Sequence, residues 1–365
     1  MEETLVKDRG ANKSVGRRRT VRSSLPRRDA ARRDALRVLM ITSEWPEPGS
    51  SRPTNFIRRQ AEFLTAAGVS LDVFAFRGDK NPLNYLAAWA RVRPRLVNGG
   101  YDVVHAQFGQ SGLLALPLPK RLPLVVTFRG CDLLGIIGDR HGRPTLKGRM
   151  LQSASRFVGQ QADAVIVVAE HMREQLKTRA PIHVIPSGVD LELFRPYPPA
   201  EARQQLGLDP SARLVLFVGW PAEIRKRHAL AQQAVAVLNE RLPAKLVVAW
   251  GVSHYKIPLY MSAADVLVVT SMQEGSPNVV KEALACNLPV VSVAVGDVPE
   301  RLKDVAGTEV CADDQPETIA AALERVLRRG GRIEGRAAVR HLDENLLTRK
   351  VVDIYRSVLK GRARS

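Results

Sequence analysis

A chain of 365 residues is longer than a single hydrophobic core usually serves, which favours two domains. Its composition, 45% hydrophobic and 25% charged, is that of a folded globular protein and excludes a collagen-like or wholly disordered chain. The formal net charge of +18 is concentrated at the two ends, because residues 1–36 and 323–365 together hold 13 of the 18 net positive charges.

The first 36 residues differ in composition from the rest of the chain. They carry eleven Lys or Arg and five Asp or Glu, without the apolar core of a signal peptide. This composition predicts a basic, disordered arm, and its cations also suit nucleic acid or anionic lipid head groups. No later run approaches the roughly 20 apolar residues of a membrane span. Three cysteines, whose spacings match neither a zinc site nor a redox pair, fit a reducing compartment, so we expect a cytoplasmic protein.

Buried-strand patterns alternate with helical patterns in the first half of the chain. Residues 37–45 form an apolar run, which is followed by a loop rich in Pro, Gly and Ser and then by a helical pattern. Further strands rich in Val and Ile are predicted at residues 70–76, 101–108, 122–130 and 182–188, and residues 162–178 are predicted to form a strand followed by a helix. This alternation indicates a parallel sheet that is covered on both faces.

The alternation restarts after a Pro-rich connection near residue 197, with strands predicted at residues 213–220, 245–251, 264–271 and 288–295. We therefore predict an α/β chain with two Rossmann-like domains, residues 37–196 and 197–345, that face a central ligand-binding cleft. Residues 346–365 are predicted to form a helix that packs back on the N-terminal domain, followed by a basic tail.

Two common nucleotide-binding signatures are missing. The first strand continues into PEPGSS rather than a G-x-G-x-x-G turn, and no G-x-x-x-x-G-K-S/T follows any strand. Dinucleotide-linked redox chemistry and P-loop hydrolysis are therefore disfavoured. A nucleic-acid-binding α/β protein is also disfavoured, because aromatic residues are only 5% of the chain and are absent from the basic arm.

The most informative segment joins a buried strand to a helix. It comprises Glu274, Gly275, Ser276, Pro277, Asn278, Val279 and, further along the helix, Glu282. The glycine permits a close backbone approach, and N–H groups at a helix start suit a phosphate or a sugar oxygen. Two carboxylates eight residues apart can accept hydrogen bonds from hydroxyls at two ends of an extended ligand. Acids near a helix start are also common as capping and surface residues, so the spacing alone leaves both interpretations open.

The full string EGSPNVVKE resembles the E-x7-E motif of family 4 retaining glycosyltransferases, which have the two-domain GT-B fold. Flanking segments, IPLYMSAADVLVVTS before the motif and ACNLPVVSVAVGDVPE after it, are similar to the family's pattern. In the first half YDVVHAQF, VTFRGCDL, ADAVIVVAEHM and VIPSGVDLELF resemble family landmarks in the right order. The resemblance covers about residues 37–358 and is strongest to glycosyltransferases of the teichuronic-acid and exopolysaccharide type.

The resemblance implies a role for each matching position. Glu274 would contact hydroxyls of the donor sugar, and Glu282 the ribose hydroxyls of the nucleotide. Lys226 would neutralise the diphosphate, in a loop preceded by Gly219. The N–H groups of Ser276, Asn278 and Val279 would face the sugar diphosphate, and His254 would lie near the base, although a surface histidine is an equal alternative.

Two positions depart from the family pattern. Many members have an arginine five residues before the lysine, where this chain has Pro221, so Arg225 or Arg227 is expected to substitute. Arg129 replaces a histidine near the reacting sugar and cannot act as a base, but it could bind an acidic group. His105 and Asp132 are further acceptor-side candidates, and each is as readily explained as a structural residue.

The implied activity is transfer from a UDP- or GDP-sugar, with retention, to a glycan or polyprenyl-linked acceptor in cell-surface polysaccharide biosynthesis. No metal or cofactor is expected. A helical pattern with Leu146, Met150, Leu151 and Phe157, interspersed with cations, predicts either peripheral contact with the anionic inner face of the plasma membrane or a core helix with a solvated face. The alternative functions are hydrolysis or epimerisation of a nucleotide sugar on the same fold.

Overall fold

The computed structural model describes residues 4–5, 35–46, 55–78, 81–119, 122–139 and 141–363. The predicted basic arm therefore lies outside the described residues, apart from residues 4–5 and 35–36.

Twelve strands and thirteen α-helices make up the described residues. The strands are β1 (Thr4–Leu5), β2 (Arg37–Thr42), β3 (Ser70–Ala75), β4 (Val103–Gln107), β5 (Leu124–Phe128), β6 (Ala164–Val167), β7 (Ile182–Val184), β8 (Leu214–Val218), β9 (Lys245–Ala249), β10 (Val266–Val269), β11 (Val290–Val293) and β12 (Glu309–Cys311). The α-helices are α1 (Asn55–Ala66), α2 (Pro82–Asn98), α3 (Gly109–Ala115), α4 (Cys131–Leu134), α5 (Leu146–Gln161), α6 (Pro199–Leu206), α7 (His228–Asn239), α8 (Ile257–Ala263), α9 (Asn278–Ala285), α10 (Val298–Leu302), α11 (Pro316–Arg329), α12 (Gly335–Val339) and α13 (Glu344–Ala363). Single 3-10 turns lie at Glu170–Gln175, Ile224–Lys226, His254–Lys256 and Arg340–Leu342.

The strands form two parallel sheets, which confirms the predicted two-domain α/β fold. The first has the order β3-β2-β4-β5-β6-β7 and the second β1-β9-β8-β10-β11-β12. In each sheet the strand order reverses at one point. In the first sheet this point lies between β2 and β4, and in the second it lies between β8 and β10. Ligands of open α/β sheets bind outside the carboxyl ends of the strands at such a reversal. The loops after β8 and β10 are therefore the structural candidates for a binding site.

The first sheet is buried on both faces because its apolar side chains alternate between two cores. Met40 packs with Ile57 of α1 on one side, and Leu39 packs with Val92 of α2 on the other. Period-two alternation along a strand sends neighbouring side chains to opposite faces, so a continuous run such as VLMI fills both.

The helix predicted after β6 is a shorter 3-10 turn, Glu170–Gln175. Only residues 168–181 connect β6 to β7, and Leu176 already has extended backbone angles, φ −116° and ψ 133°. Most residues of this connection are therefore needed to span the distance between the two strands, and few are left for helical turns. Of the three cysteines, Cys131 is exposed at the start of α4, whereas Cys286 and Cys311 are buried.

We call the part of the chain around the first sheet the first unit and the part around the second sheet the second unit. The last helix, α13, follows the second unit in the chain but packs against α1 of the first. Tyr355 is fully buried there, and its hydroxyl lies 2.6 Å from Nδ1 of His105 in β4. Near the end of the helix Arg362 donates to Asp163 at 2.8 Å and 2.9 Å. The C-terminal helix is therefore part of the structure of the first unit.

Replacing Tyr355 with Phe should destabilise the protein by about 1–3 kcal/mol, because it leaves a buried ring nitrogen of His105 without a partner. The free energy of unfolding from denaturant titration measures this. Tyr255→Phe is the matched control, since Tyr255 is 74% exposed. Equal stability of the two variants would contradict the proposed role of the Tyr355 hydroxyl.

Candidate functional site

The loop after β10 touches the first unit through a glycine. A Cβ at Gly275 would lie 2.5 Å from the carbonyl oxygen of Arg129, so only glycine allows this backbone approach. One residue later, Ser276 donates through its hydroxyl to Asp297 at 2.8 Å. The loop is thus held between the first unit and the segment that leads into α10.

Glu274 lies beside this glycine and pairs with two cations. Its Oε1 lies 2.7 Å from Nζ of Lys226 and 2.7 Å from an NH1 of Arg225. Burial raises the pKa of the Glu274 carboxyl, but the charges of Lys226 and Arg225 outweigh burial and hold the pKa at about 2. The carboxylate is therefore ionised at neutral pH and is an acceptor of hydrogen bonds rather than a proton donor.

The two cations come from the loop that follows β8. Gly219 begins this loop with φ 151°, a conformation that favours glycine, and the 3-10 turn Ile224–Lys226 then directs Arg225 and Lys226 towards Glu274. Arg227 turns away, because it donates to the Thr270 carbonyl at 2.6 Å and pairs with Asp314. Of the two arginines that the sequence left open, the geometry therefore favours Arg225 as the second cation.

The first turn of α9 follows the glycine loop. Pro277 precedes the helix, Asn278 begins it, and Val279 is partly buried. The first N–H groups of an α-helix have no partner within the helix, so the N–H groups of Asn278 and Val279 have no acceptor in α9. Residues 274–279 of the motif therefore join the glycine loop to the start of α9.

Glu282, two turns into α9, lies in a separate buried group. Its Oε1 is 3.8 Å from Nε2 of His254, and the same nitrogen is 3.1 Å from NH1 of Arg59. Burial lowers the pKa of His254, and the charge of Arg59 lowers it further, against the opposite effect of Glu282. A neutral His254 that accepts from Arg59 carries its proton on Nδ1. His254 is therefore largely buried against Arg59 and Glu282 rather than free on the surface.

Two cations that the sequence reasoning missed connect this group to the linker between the units, which is the segment 185–198 between β7 and α6. Arg59 of α1 donates from NH2 to the Gly188 carbonyl at 3.0 Å, and its Nε lies 3.5 Å from Glu344. Lys281 of α9 is fully buried and donates to the Ser187 carbonyl at 2.7 Å. Burial lowers the pKa of Lys281 to about 8. Lys281 could have been singled out from the sequence, because it is a lysine among the apolar residues of α9. Nothing in the local sequence distinguishes Arg59 from its neighbour Arg58.

Arg129 lies between the units, but its guanidinium is already occupied. Nε and NH2 donate to Oε1 of Gln107 at 3.1 Å and 2.7 Å, NH2 also donates to Gln60 at 2.8 Å, and NH1 donates to the Ser187 hydroxyl at 2.7 Å. Burial lowers its pKa to about 10, so it remains a cation at neutral pH. These contacts favour a role in positioning the linker over direct binding of an acidic group.

The two acceptor-side candidates are structural in this geometry. His105 is fully buried, with Nε2 2.7 Å from the Thr127 hydroxyl and Nδ1 against Tyr355, and burial lowers its pKa to about 3. Asp132 is also buried and accepts the N–H groups of Gly130 at 2.9 Å and Arg129 at 3.1 Å, which shapes the loop that meets Gly275. The hydrogen bonds of both side chains are made within the first unit, to which the C-terminal helix also belongs.

No group of three or more His, Cys, Asp or Glu side chains is arranged to hold a metal ion within the described ranges. Within the same part of the chain, no helix combines the length and apolar character of a membrane span.

Two family models match the two halves of the chain. Residues 29–193 match the model described as Glycosyltransferase Family 4, and residues 212–329 match the model described as Glycosyl transferases group 1. Similar curated proteins are D-inositol 3-phosphate glycosyltransferases. The one from Mycolicibacterium gilvum is 30% identical over 67% of this chain, and the one from Segniliparus rotundus is 25% identical over 93%. The match spans 62% of the first relative's length and 93% of the second's.

Solved structures show the same fold at low identity. Sucrose-phosphate synthase from Thermosynechococcus elongatus has a TM-score of 0.77 at 18% identity, covering 89% of this chain and 100% of that one. Anabaena HepE in complex with UDP and glucose has a TM-score of 0.64 at 17% identity, covering 88% and 100%. Together with the motif from Glu274 to Glu282 and the two facing sheets, these matches establish that the chain belongs to glycosyltransferase family 4 and has the GT-B fold.

Proposed function

We propose that this chain transfers a sugar from a nucleotide-sugar donor, UDP- or GDP-linked, to a glycan or polyprenyl-linked acceptor, with retention of the donor's anomeric configuration. The observation that carries the proposal is the ionised Glu274 carboxylate between Lys226 and Arg225, at the carboxyl ends of β8 and β10 where the sheet order reverses. This position combines a carboxylate that accepts from sugar hydroxyls with cations that bind a diphosphate.

Lys226 and Arg225 are the groups that would stabilise the leaving nucleotide. Negative charge builds on the diphosphate as the glycosidic bond breaks, and fixed cations lower the energy of that transition state. In binding the diphosphate the two cations would give up part of their pairing with Glu274, which leaves its carboxylate to the hydroxyls of the sugar. The same three side chains would thus bind the two halves of the donor.

Glu282 would bind the ribose. It is buried close to His254, whose Nδ1–H would be available to the nucleoside because its Nε2 faces Arg59. Arg59 belongs to the first unit. The first unit therefore contacts the proposed nucleotide-binding residues of the second unit directly, through Arg59 and His254. We infer that nucleotide binding and closure of the two units are coupled through Arg59.

Closure would exclude water from the reacting centre. Gly275 contacts the backbone of Arg129, and Gln273 donates to the Leu134 carbonyl at 3.0 Å. Removal of water strengthens the electrostatic interactions in the site and suppresses hydrolysis of the donor, which favours transfer.

Retention fits the groups present in the site. The leaving diphosphate would accept the proton of the acceptor hydroxyl on the face from which it departs, so no side chain has to act as nucleophile or base. His105 is neutral but buried against Tyr355, and Arg129 cannot accept a proton at neutral pH. These surroundings support a reaction in which the substrate's own phosphate serves as the base.

The acceptor is proposed to be a growing cell-surface polysaccharide, reached at the inner face of the cytoplasmic membrane. The outer face of α5 supports this, because Leu146, Met150 and Phe157 are 76%, 66% and 50% exposed, with Lys147 and Arg149 beside them. They do not belong to the core, which favours the membrane interpretation of this helix over the core interpretation.

Glu274→Gln should lower kcat about 100-fold with little change in nucleotide affinity, because the lost interaction acts mainly in the transition state. Glu282→Gln should instead weaken nucleotide binding about tenfold. Steady-state kinetics with a panel of UDP- and GDP-sugars, with and without polyprenyl-linked acceptors, and calorimetric titration separate the two effects and separate transfer from hydrolysis. Glu240→Gln, at an exposed position, is the control. Wild-type kinetics in both site variants would refute the assignment.

Arg59→Gln should weaken nucleotide binding about tenfold and reduce the compaction that the nucleotide induces, because the link from His254 to the linker is lost. Titration calorimetry and small-angle X-ray scattering with and without UDP or GDP measure the two effects. Arg58→Gln is the matched control, since Arg58 is exposed on the same helix and pairs only with Glu62 among the ion pairs of the described residues. Identical behaviour of the two variants would show that Arg59 carries no coupling.

The wild-type protein should float with anionic liposomes at physiological salt, and the double variant Met150→Ser, Phe157→Ser should bind several-fold less. Leu346→Ser removes a 44% exposed apolar side chain from α13 and should leave flotation unchanged. A wild-type protein that stays at the bottom of the gradient would disprove membrane contact without affecting the proposed transfer reaction.

A further inference from the structure

The second sheet departs from the doubly wound pattern at one position. Its order β1-β9-β8-β10-β11-β12 corresponds to the common order 3-2-1-4-5-6, with β8 as the first strand, β9 as the second and β10 as the fourth. A third strand should therefore follow β9 in the chain. Residues 250–265 join β9 directly to β10 and hold only a 3-10 turn and α8. Inserting a parallel strand here would need two crossovers of about a dozen residues each, so this connection is too short for one.

The strand β1 occupies the place of this third strand. It pairs in parallel with the outer side of β9, with Thr4 opposite Val247 and Leu5 opposite Val248. On its inner side β9 pairs with β8 along its whole length. In the part of the chain that the structure describes, β1 is the only strand beyond β9. The edge strand of the second unit is therefore supplied by a segment that precedes the whole first unit in the chain.

Without β1 the outer side of β9 would be an open apolar edge. The strand has the sequence KLVVA, in which the only charge is at the first residue, Lys245. The side chains of residues 246–249 are buried. Unpaired N–H and C=O groups along an apolar edge strand form a template for an extended segment of another chain, and charges or prolines on the strand usually prevent this. Residues 246–249 include neither, so the protection of this edge depends on β1.

The covalent connection favours pairing within one molecule. Residues 6–34 join β1 to the first unit, which is joined in turn to β9. A segment attached to the same chain competes for the edge at an effective concentration on the order of millimolar, whereas a second copy competes only at its actual concentration. The strand of the same molecule therefore has the advantage over a strand from another copy.

We propose that β1 acts as the third strand and seals the edge of the second sheet in its own molecule. When β1 is displaced, the open edge of β9 pairs with β9 of a second copy of this chain. Two identical edges related by a two-fold axis form a closed contact, so the product is a dimer rather than a filament. The inference concerns the second sheet alone and is independent of the proposed transfer reaction.

The double variant Thr4→Pro, Leu5→Pro, made in the full-length protein, removes both N–H groups of β1 from the ladder. Hydrogen–deuterium exchange of the β9 amides should become at least about tenfold faster at low protein concentration. Light scattering after gel filtration should show the mass rising from monomer towards dimer as the concentration increases. The control variant Ala11→Pro, Asn12→Pro makes the same change outside β1 and should behave like the wild type. Exchange in β2–β7 shows whether both variants are folded.

A synthetic peptide of residues 1–10 should bind to the double variant, restore slow exchange in β9 and return the protein to the monomer. Equal β9 exchange in the two variants, or a double variant that remains monomeric at every concentration tested, would overturn the inference. A wild-type dimer that dissociates in the double variant would also overturn it, because β1 would then join two copies rather than seal one.

Discussion

The carboxylate of Glu274 is buried at the meeting point of two loops and depends on Lys226 and Arg225 for its charge. Without those cations burial would favour the protonated form, which would turn an acceptor into a donor. With them, one oxygen of the carboxylate is fixed, and two cations lie beside it at the position proposed for the diphosphate. The chemistry proposed for this protein follows from that one arrangement, and the remaining residues supply orientation and enclosure.

The linker between the units is the second organising element. Three cations, Arg59, Arg129 and Lys281, bind the backbone or side chain of Ser187 and Gly188 from three different helices or loops. Each comes from a segment that also contacts the proposed donor site. Cations that share one short segment hold it in a single position, so the relative position of the units and the shape of the site are set by the same contacts. This explains why a basic chain keeps several of its cations in the interior.

Much of the fold and of the site could be predicted from the sequence because both leave local patterns. Runs such as VLMI and VLVV identify the strands of parallel sheets, and the glycine loop before α9 identifies the start of a helix. The sequence could not decide whether Arg225 or Arg227 is the second cation beside Glu274. The two side chains point in different directions because the backbone is left-handed at Arg227, φ 51°, and no sequence pattern shows this. The role of Arg59 could not be predicted either, since its partners Gly188 and His254 lie more than 100 positions further along the chain.

The His105 to Tyr355 contact joins the third strand of the first sheet to a helix separated from it by 250 positions. During synthesis on a ribosome the strands of the first unit emerge long before α13 does. A buried histidine and the apolar face that α13 covers therefore remain open until the second unit has been made. Vectorial folding can complete the second unit first, and the unit that is translated first acquires its full stability last.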